Sequence, residues 1–195
     1  MRTDVHIHTR LGQGADAPLA MLCRARALGL HAVHLADMVD AATLEPVLAA
    51  QLALLPDALH LDMELVPGVC LAHAPPGRLE ELVARARGLG ARQVAVYGET
   101  LGDHVPRGTN LAAIEARADV LLHPGLLTPQ EAALAAAHGV ALELCAHPRH
   151  CLANGHVARL AREHGATLVT GSGARSVDQL LDPRGLALVQ QGAGW

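Results

Sequence analysis

The sequence contains no lysine and no phenylalanine, and only one tyrosine (Tyr97) and one tryptophan (Trp195). All 15 basic residues are therefore arginine, while histidine occurs 13 times. The missing types are mostly those of AT-rich codons, so drift in a GC-rich genome accounts for them, yet the absences still exclude chemistry. Without lysine there is no P-loop lysine, no Schiff base with pyridoxal phosphate and no kinase-type lysine. Without a set of aromatic residues, base stacking on single-stranded nucleic acid is poorly supplied. Net charge is −4, the pI is near 6.3 and no arginine run forms a basic stripe, so neither nucleic acid nor an anionic membrane is an expected partner. Met1-Arg2-Thr3-Asp4-Val5-His6 lacks the apolar core of a signal peptide, and no apolar run reaches transmembrane length. Cys23, Cys70, Cys145 and Cys151 then read as reduced thiols or metal ligands, and the expected location is the cytoplasm.

What is present is a regular alternation. Short apolar runs suited to buried strands fall at Val5 to Ile7, Ala32 to Leu35, Leu61 to Val66, Val94 to Tyr97, Val120 to Leu122, Val140 to Leu144 and Thr167 to Val169. Between them lie helical faces such as Leu79, Leu82, Val83, Ala86 and Leu89, or Val157, Leu160 and Ala161. Gly29, Gly90, Gly139 and Gly165 stand where helices end, in position for the left-handed residue that stops a helix. Seven strand–helix units of roughly 28 residues each predict one α/β domain over residues 1–195. A closed barrel accounts for the site below better than an open doubly wound sheet.

In such folds, function gathers at the carboxyl ends of the strands. Those positions hold His6, His8, Asp37, Cys70, Tyr97, His123, Glu143, His150 and Arg175. His6 and His8, two apart on a strand, face the same side and can reach one ion, with Asp4 a candidate to orient an imidazole. Histidines, a thiol, a phenol and carboxylates at one mouth point to a transition-metal site.

Asp4-Val5-His6-Ile7-His8-Thr9 resembles the opening motif of the PHP (polymerase and histidinol phosphatase) family, especially its small histidinol-phosphate-phosphatase-like branch. Further matching pieces run in order: Pro67-Gly68-Val69, Ala72-His73-Ala74-Pro75-Pro76, Gly98-Glu99-Thr100, Gly108-Thr109-Asn110, His123-Pro124-Gly125-Leu126 and Asn154-Gly155-His156. The resemblance implies a distorted seven-stranded (β/α)7 barrel and a trinuclear metal cluster that hydrolyses phosphate esters. It also implies that His6, His8 and His123, with Glu143 and His150, are retained ligands.

The chain departs from that pattern at the ligands. Met38, Cys70, Tyr97 and Gly173-Ala174-Arg175 stand where the family has a histidine, a bridging glutamate, a histidine and a closing Asp-x-His. Fewer than three ions are expected. One reading places a single divalent transition metal, zinc first with iron or manganese as alternatives, on His6, His8, Cys70 and His123. Arg175, Tyr97 and Asp37 are then the candidate catalytic side chains. Arg175 can hold a small phosphorylated or anionic molecule bidentately, and Tyr97 can serve as ligand or proton donor. The other reading is a pseudoenzyme, a barrel kept as a small-molecule- or partner-binding module.

Amidohydrolases also open on His-x-His, but many bridge two metals with a carboxylated lysine, and this chain has none and is one unit short. Cys145, His147, His150 and Cys151 lie within seven residues, a conceivable separate metal site; a mouth loop with His150 reaching the main site is the preferred reading. Cys23 reads as core packing beside Leu19 and Leu22. Glu99, just past a strand end, is expected to support Tyr97.

Overall fold

The computed structural model describes residues 2–195. Among the described residues, nine strands and eight α-helices follow in the order β1 (Thr3–Ile7), α1 (Pro18–Ala27), β2 (Ala32–Leu35), β3 (Asp37–Val39), α2 (Leu44–Ala53), α3 (Leu55–His60), β4 (Glu64–Val66), β5 (Gly68–Leu71), α4 (Leu79–Gly88), β6 (Gln93–Tyr97), α5 (Thr109–Glu115), β7 (Val120–Leu122), α6 (Pro129–His138), β8 (Ala141–Cys145), α7 (Asn154–His164), β9 (Leu168–Gly171) and α8 (Pro183–Gly192). Every strand pairing is parallel. The strands form two sheets, β1-β2-β4 and β3-β5-β6-β7-β8-β9.

The expected seven strands are thus nine, in two sheets, and the break has a local cause. Ala36 alone separates β2 from β3, and Pro67 alone separates β4 from β5. Pro67 has no N–H to give to a ladder. The next donor, Gly68 N, goes to the side-chain oxygen of Gln51, whose amide in turn donates to Asp37. A buried glutamine therefore fills the interruption. At the far edges, one parallel bridge joins Ile7 to Ala174; His8 N donates to Ala174 O (2.8 Å) and Gly173 N to His6 O (3.0 Å).

Alternation along the strands sorts the interior into two sides. Val69, Leu71, Val94, Val96, Leu142 and Leu144 pack toward the helices, against Leu79, Leu82, Val83, Ala86, Val157, Leu160 and Ala161. The opposite faces present Cys70, Ala72, Ala95, Tyr97, Val120, Leu122 and Ala141 as a smaller cluster. Gly29, Gly90, Gly139 and Gly165 all adopt positive φ at helix ends, as their positions predict. Cys23 is a correction: it is exposed, because α1 buries Met21, Leu22 and Ala25 instead. Among the described residues, no helix is long and apolar enough to cross a membrane.

Candidate metal centre

Glu143 and Cys145 share the inner side of β8, as His6 and His8 share that of β1, because residues two apart on a strand point the same way. His123 follows β7 with φ +48°, a left-handed conformation uncommon for a non-glycine residue, and that backbone turns its ring toward His6. One donor atom from each of His6, His123, Glu143 and Cys145 lies within 4.8 Å of the others, and all four residues are buried. Two imidazoles, a carboxylate and a thiol make a donor set suited to one transition ion.

Glu143 organises this group. Its Oε1 lies 2.5 Å from His6 Nδ1, and its Oε2 accepts from the backbone N of His123 (3.1 Å). His123 Nδ1 stands 3.0 Å from the same Oε2, but outside hydrogen-bond geometry, so that nitrogen has no partner. His8 Nδ1 is likewise buried and unpartnered. Its Nε2 meets His6 Nε2 at 2.9 Å. Buried nitrogens without partners are costly, and a cation among them would satisfy lone pairs that the protein leaves idle. The residues therefore fit a metal.

Burial alone would raise the Glu143 carboxyl, but His6 and His123 outweigh it and hold the group ionised, well below the usual range. Burial and the Glu143 charge push the Cys145 thiol well up, so a metal must displace its proton on binding. Burial also lowers His8, His123 and His150, the last to about 3. Away from the centre, burial lowers His34 as well. Unfolded histidines take up protons near pH 6.5, whereas these do so only at lower pH when folded. The unfolded state thus binds more protons below about 6.5, and stability must fall as pH falls. In metal-free protein, the urea midpoint should drop between pH 7.5 and 5.5 by the equivalent of about 2 kcal/mol. A constant or rising midpoint would contradict the burial of these rings as neutral groups.

A second ring of side chains surrounds the first. His150 stacks on His123 at 4.0 Å between centroids, and Tyr97 meets His123 edge-on at 5.0 Å. The His150 nitrogens face the Tyr97 hydroxyl (3.3 Å) and Thr100 Oγ1 (2.7 Å). Burial and the Asp103 charge raise the Tyr97 hydroxyl, which stays protonated. Half-buried Arg175 touches Met38 Sδ at 3.8 Å, and its positive charge is felt by His8, His123, Cys70 and Tyr97.

The expected site residues converge unequally. His6, His123 and Glu143 form the centre, and His8 and His150 each lie one ring away. Cys70 does not join; its thiol lies in the apolar inner cluster beside Ala95 and Tyr97, and the sulfur in the centre is Cys145. The i,i+2 spacing of Glu143 and Cys145 was the available signal, identical in kind to that of His6 and His8. Asp37 is a correction too: its carboxylate is filled by Thr9 N (2.5 Å), Thr9 Oγ1 (2.9 Å) and Gln51 Nε2 (3.0 Å), so it positions the loop after β1. Asp4 orients the His6 backbone N rather than its ring, and ties it to Ser172 N. Glu99 accepts from Gly108 N and Asn110 N and does not touch Tyr97 among its hydrogen bonds.

No protein-family model matches the chain. Uncharacterized protein MJ1295 of Methanocaldococcus jannaschii is 29% identical over 197 residues, covering 100% of this chain and 90% of that protein. The crystal structure of an uncharacterized protein superposes with a TM-score of 0.65 at 10% identity, over 98% of this chain and 70% of that one. An amidohydrolase superposes with a TM-score of 0.56 at 11% identity, over 97% and 68%. At such identities the likeness concerns the fold alone, an α/β architecture with parallel strands.

Proposed function

We propose that the chain is a hydrolase of small phosphate esters that works with one divalent metal, a PHP-type barrel with a reduced cluster. The observation that carries this reading is the buried donor group of His6, His123, Glu143 and Cys145, bordered by the idle nitrogens of His8 and His123. The single-residue gaps at Ala36 and Pro67 support counting β2 with β3 and β4 with β5, which leaves seven segments, and the Ile7–Ala174 bridge joins their ends. Zinc suits a site with two imidazoles and one thiolate. What a bound divalent ion supplies is Lewis acidity toward a phosphoryl oxygen and toward water. Arg175 holds the phosphate by paired N–H donors and contributes fixed positive charge. Protonated Tyr97, beside His123, exchanges its long bond to Asp103 (3.4 Å) for an ester oxygen when substrate binds. His150 braces His123 by stacking.

Elemental analysis of chelator-free protein should find about one metal per chain. His123→Ala should lose the metal and at least about 100-fold of phosphate-ester turnover. Arg175→Gln should keep the metal and raise KM. Metal without turnover would make the chain a binding module; neither metal nor turnover would sink the reading.

A further inference from the structure

We propose that the cleft between His73 and the segment His104 to Arg107 binds a second anionic group on the substrate, making the substrate class a phosphate ester with an anionic far end. The proposal rests on the hydrolase reading only for where the phosphate sits. The cleft has a volume of about 500 Å³ and is lined by His73, His104, Val105, Pro106 and Arg107. Two imidazoles and a guanidinium line it, and no carboxylate does. Two neighbouring clefts, of about 230 and 250 Å³, also include His73, but both are lined by Asp40, which would repel an anion.

Position connects this cleft to the metal centre. Val105 packs against the inner cluster that contains Tyr97, and the Tyr97 ring meets His123. One wall of the cleft therefore borders the inner cluster that reaches the centre through Tyr97. The segment that carries His104 and Arg107 is also pinned, which a recognition surface requires. Glu99 Oε1 accepts from Gly108 N and Asn110 N (3.0 Å each), Arg149 donates to Gly102 O (2.8 Å), and the Tyr97 hydroxyl donates to Asp103 Oδ2 (3.4 Å). Asp103 Oδ1 also accepts from His104 N (2.8 Å). On the opposite wall, His73 holds φ +57°, a strained conformation for a non-glycine residue, where Ala72 before it is buried and its own side chain is exposed. Strain of that kind persists where the surroundings enforce a side chain's direction.

The probes are the phosphate monoesters of gluconate and of glucitol, alike in length and differing in a terminal carboxylate. Calorimetry on the metal-loaded protein should find the gluconate ester bound about tenfold tighter. In the double variant His104→Gln with Arg107→Gln, at two exposed positions, the ratio between the probes should fall to near one. Equal binding of the two by the unaltered protein would overturn the proposal, as would a ratio that survives the double variant or failure of both probes to bind. A gluconate ester held through Arg107 but neither hydrolysed nor weakened by Arg175→Gln would leave the subsite standing and remove the phosphatase reading.

Discussion

Glu143→Gln is expected to destabilise the metal-free protein by about 3 kcal/mol and to weaken divalent-metal binding by at least about 100-fold. Both carboxylate oxygens act as acceptors, one facing His6 Nδ1 and the other the backbone N of His123. Glutamine keeps the shape but offers one acceptor and one NH2 group. With the amide oxygen toward His123 N, the NH2 group faces His6 Nδ1 and forces the ring proton onto Nε2; with the amide reversed, a donor faces the His123 N–H in a buried site. The loss of negative charge adds to this, because His6 and His123 are what keep Glu143 ionised against its burial. Urea unfolding with chelator present isolates the folding term, and competition with a chromophoric chelator reads the metal term. Glu163→Gln is the control: its ion pair with Arg159 is half exposed on α7, and its loss should cost under about 1 kcal/mol. If the two variants cost the same, Glu143 is not the organiser of the centre.

That experiment turns on a residue whose place was readable from spacing, and the contrast with Cys70 shows where reading stops. His6, Glu143 and Cys145 are fixed by strand alternation, a strictly local rule, and a sequence can display it. So were most strand positions, because buried parallel strands are short apolar runs that end at turn residues. Cys70 satisfies the same local rule on β5, yet its thiol stays in the apolar cluster. How far around the sheet each strand brings its end is set by twist and by the interruption at Pro67, which are properties of the assembled ladder. The splitting of two long strands was equally hidden, since it depends on Gln51 reaching across from α2 to Gly68 and Asp37. Asp37 looked catalytic because it ends a strand; only the fold reveals that Thr9 and Gln51 consume it. The amidohydrolase alternative was weak for want of lysine and of one unit, and the amidohydrolase that superposes at 11% identity is a likeness of fold alone.

Gly171→Ala should cost about 3 kcal/mol and abolish metal binding together, although no ligand is substituted. A Cβ at this position would lie 2.5 Å from His6 Cβ and 2.7 Å from Glu143 Oε1. Neither neighbour can yield cheaply. His6 Cβ is fixed by the β1 backbone, whose carbonyl accepts from Gly173 N and whose amide donates to Asp4 Oδ1. Glu143 Oε1 is held by the His6 ring, so moving it breaks the contact that orients the first ligand. The end of β9 must therefore be bare for β1 and β8 to bring their side chains together. Gly173, two residues on, repeats the requirement: with φ +63°, an added Cβ would meet Cys145 Sγ at 3.1 Å. The informative control is Gly165→Ala, at the end of α7. Its φ is +74° but nothing lies within 4 Å, so it should cost only the backbone penalty, about 1 kcal/mol, and leave the metal bound. Comparable losses in the two variants would mean that the glycine at the end of β9 serves the backbone and not the centre. Loss of metal in Gly171→Ala alone would place the Gly171-Ser172-Gly173 turn among the determinants of the site, occupying with empty space what a ligand side chain would otherwise fill.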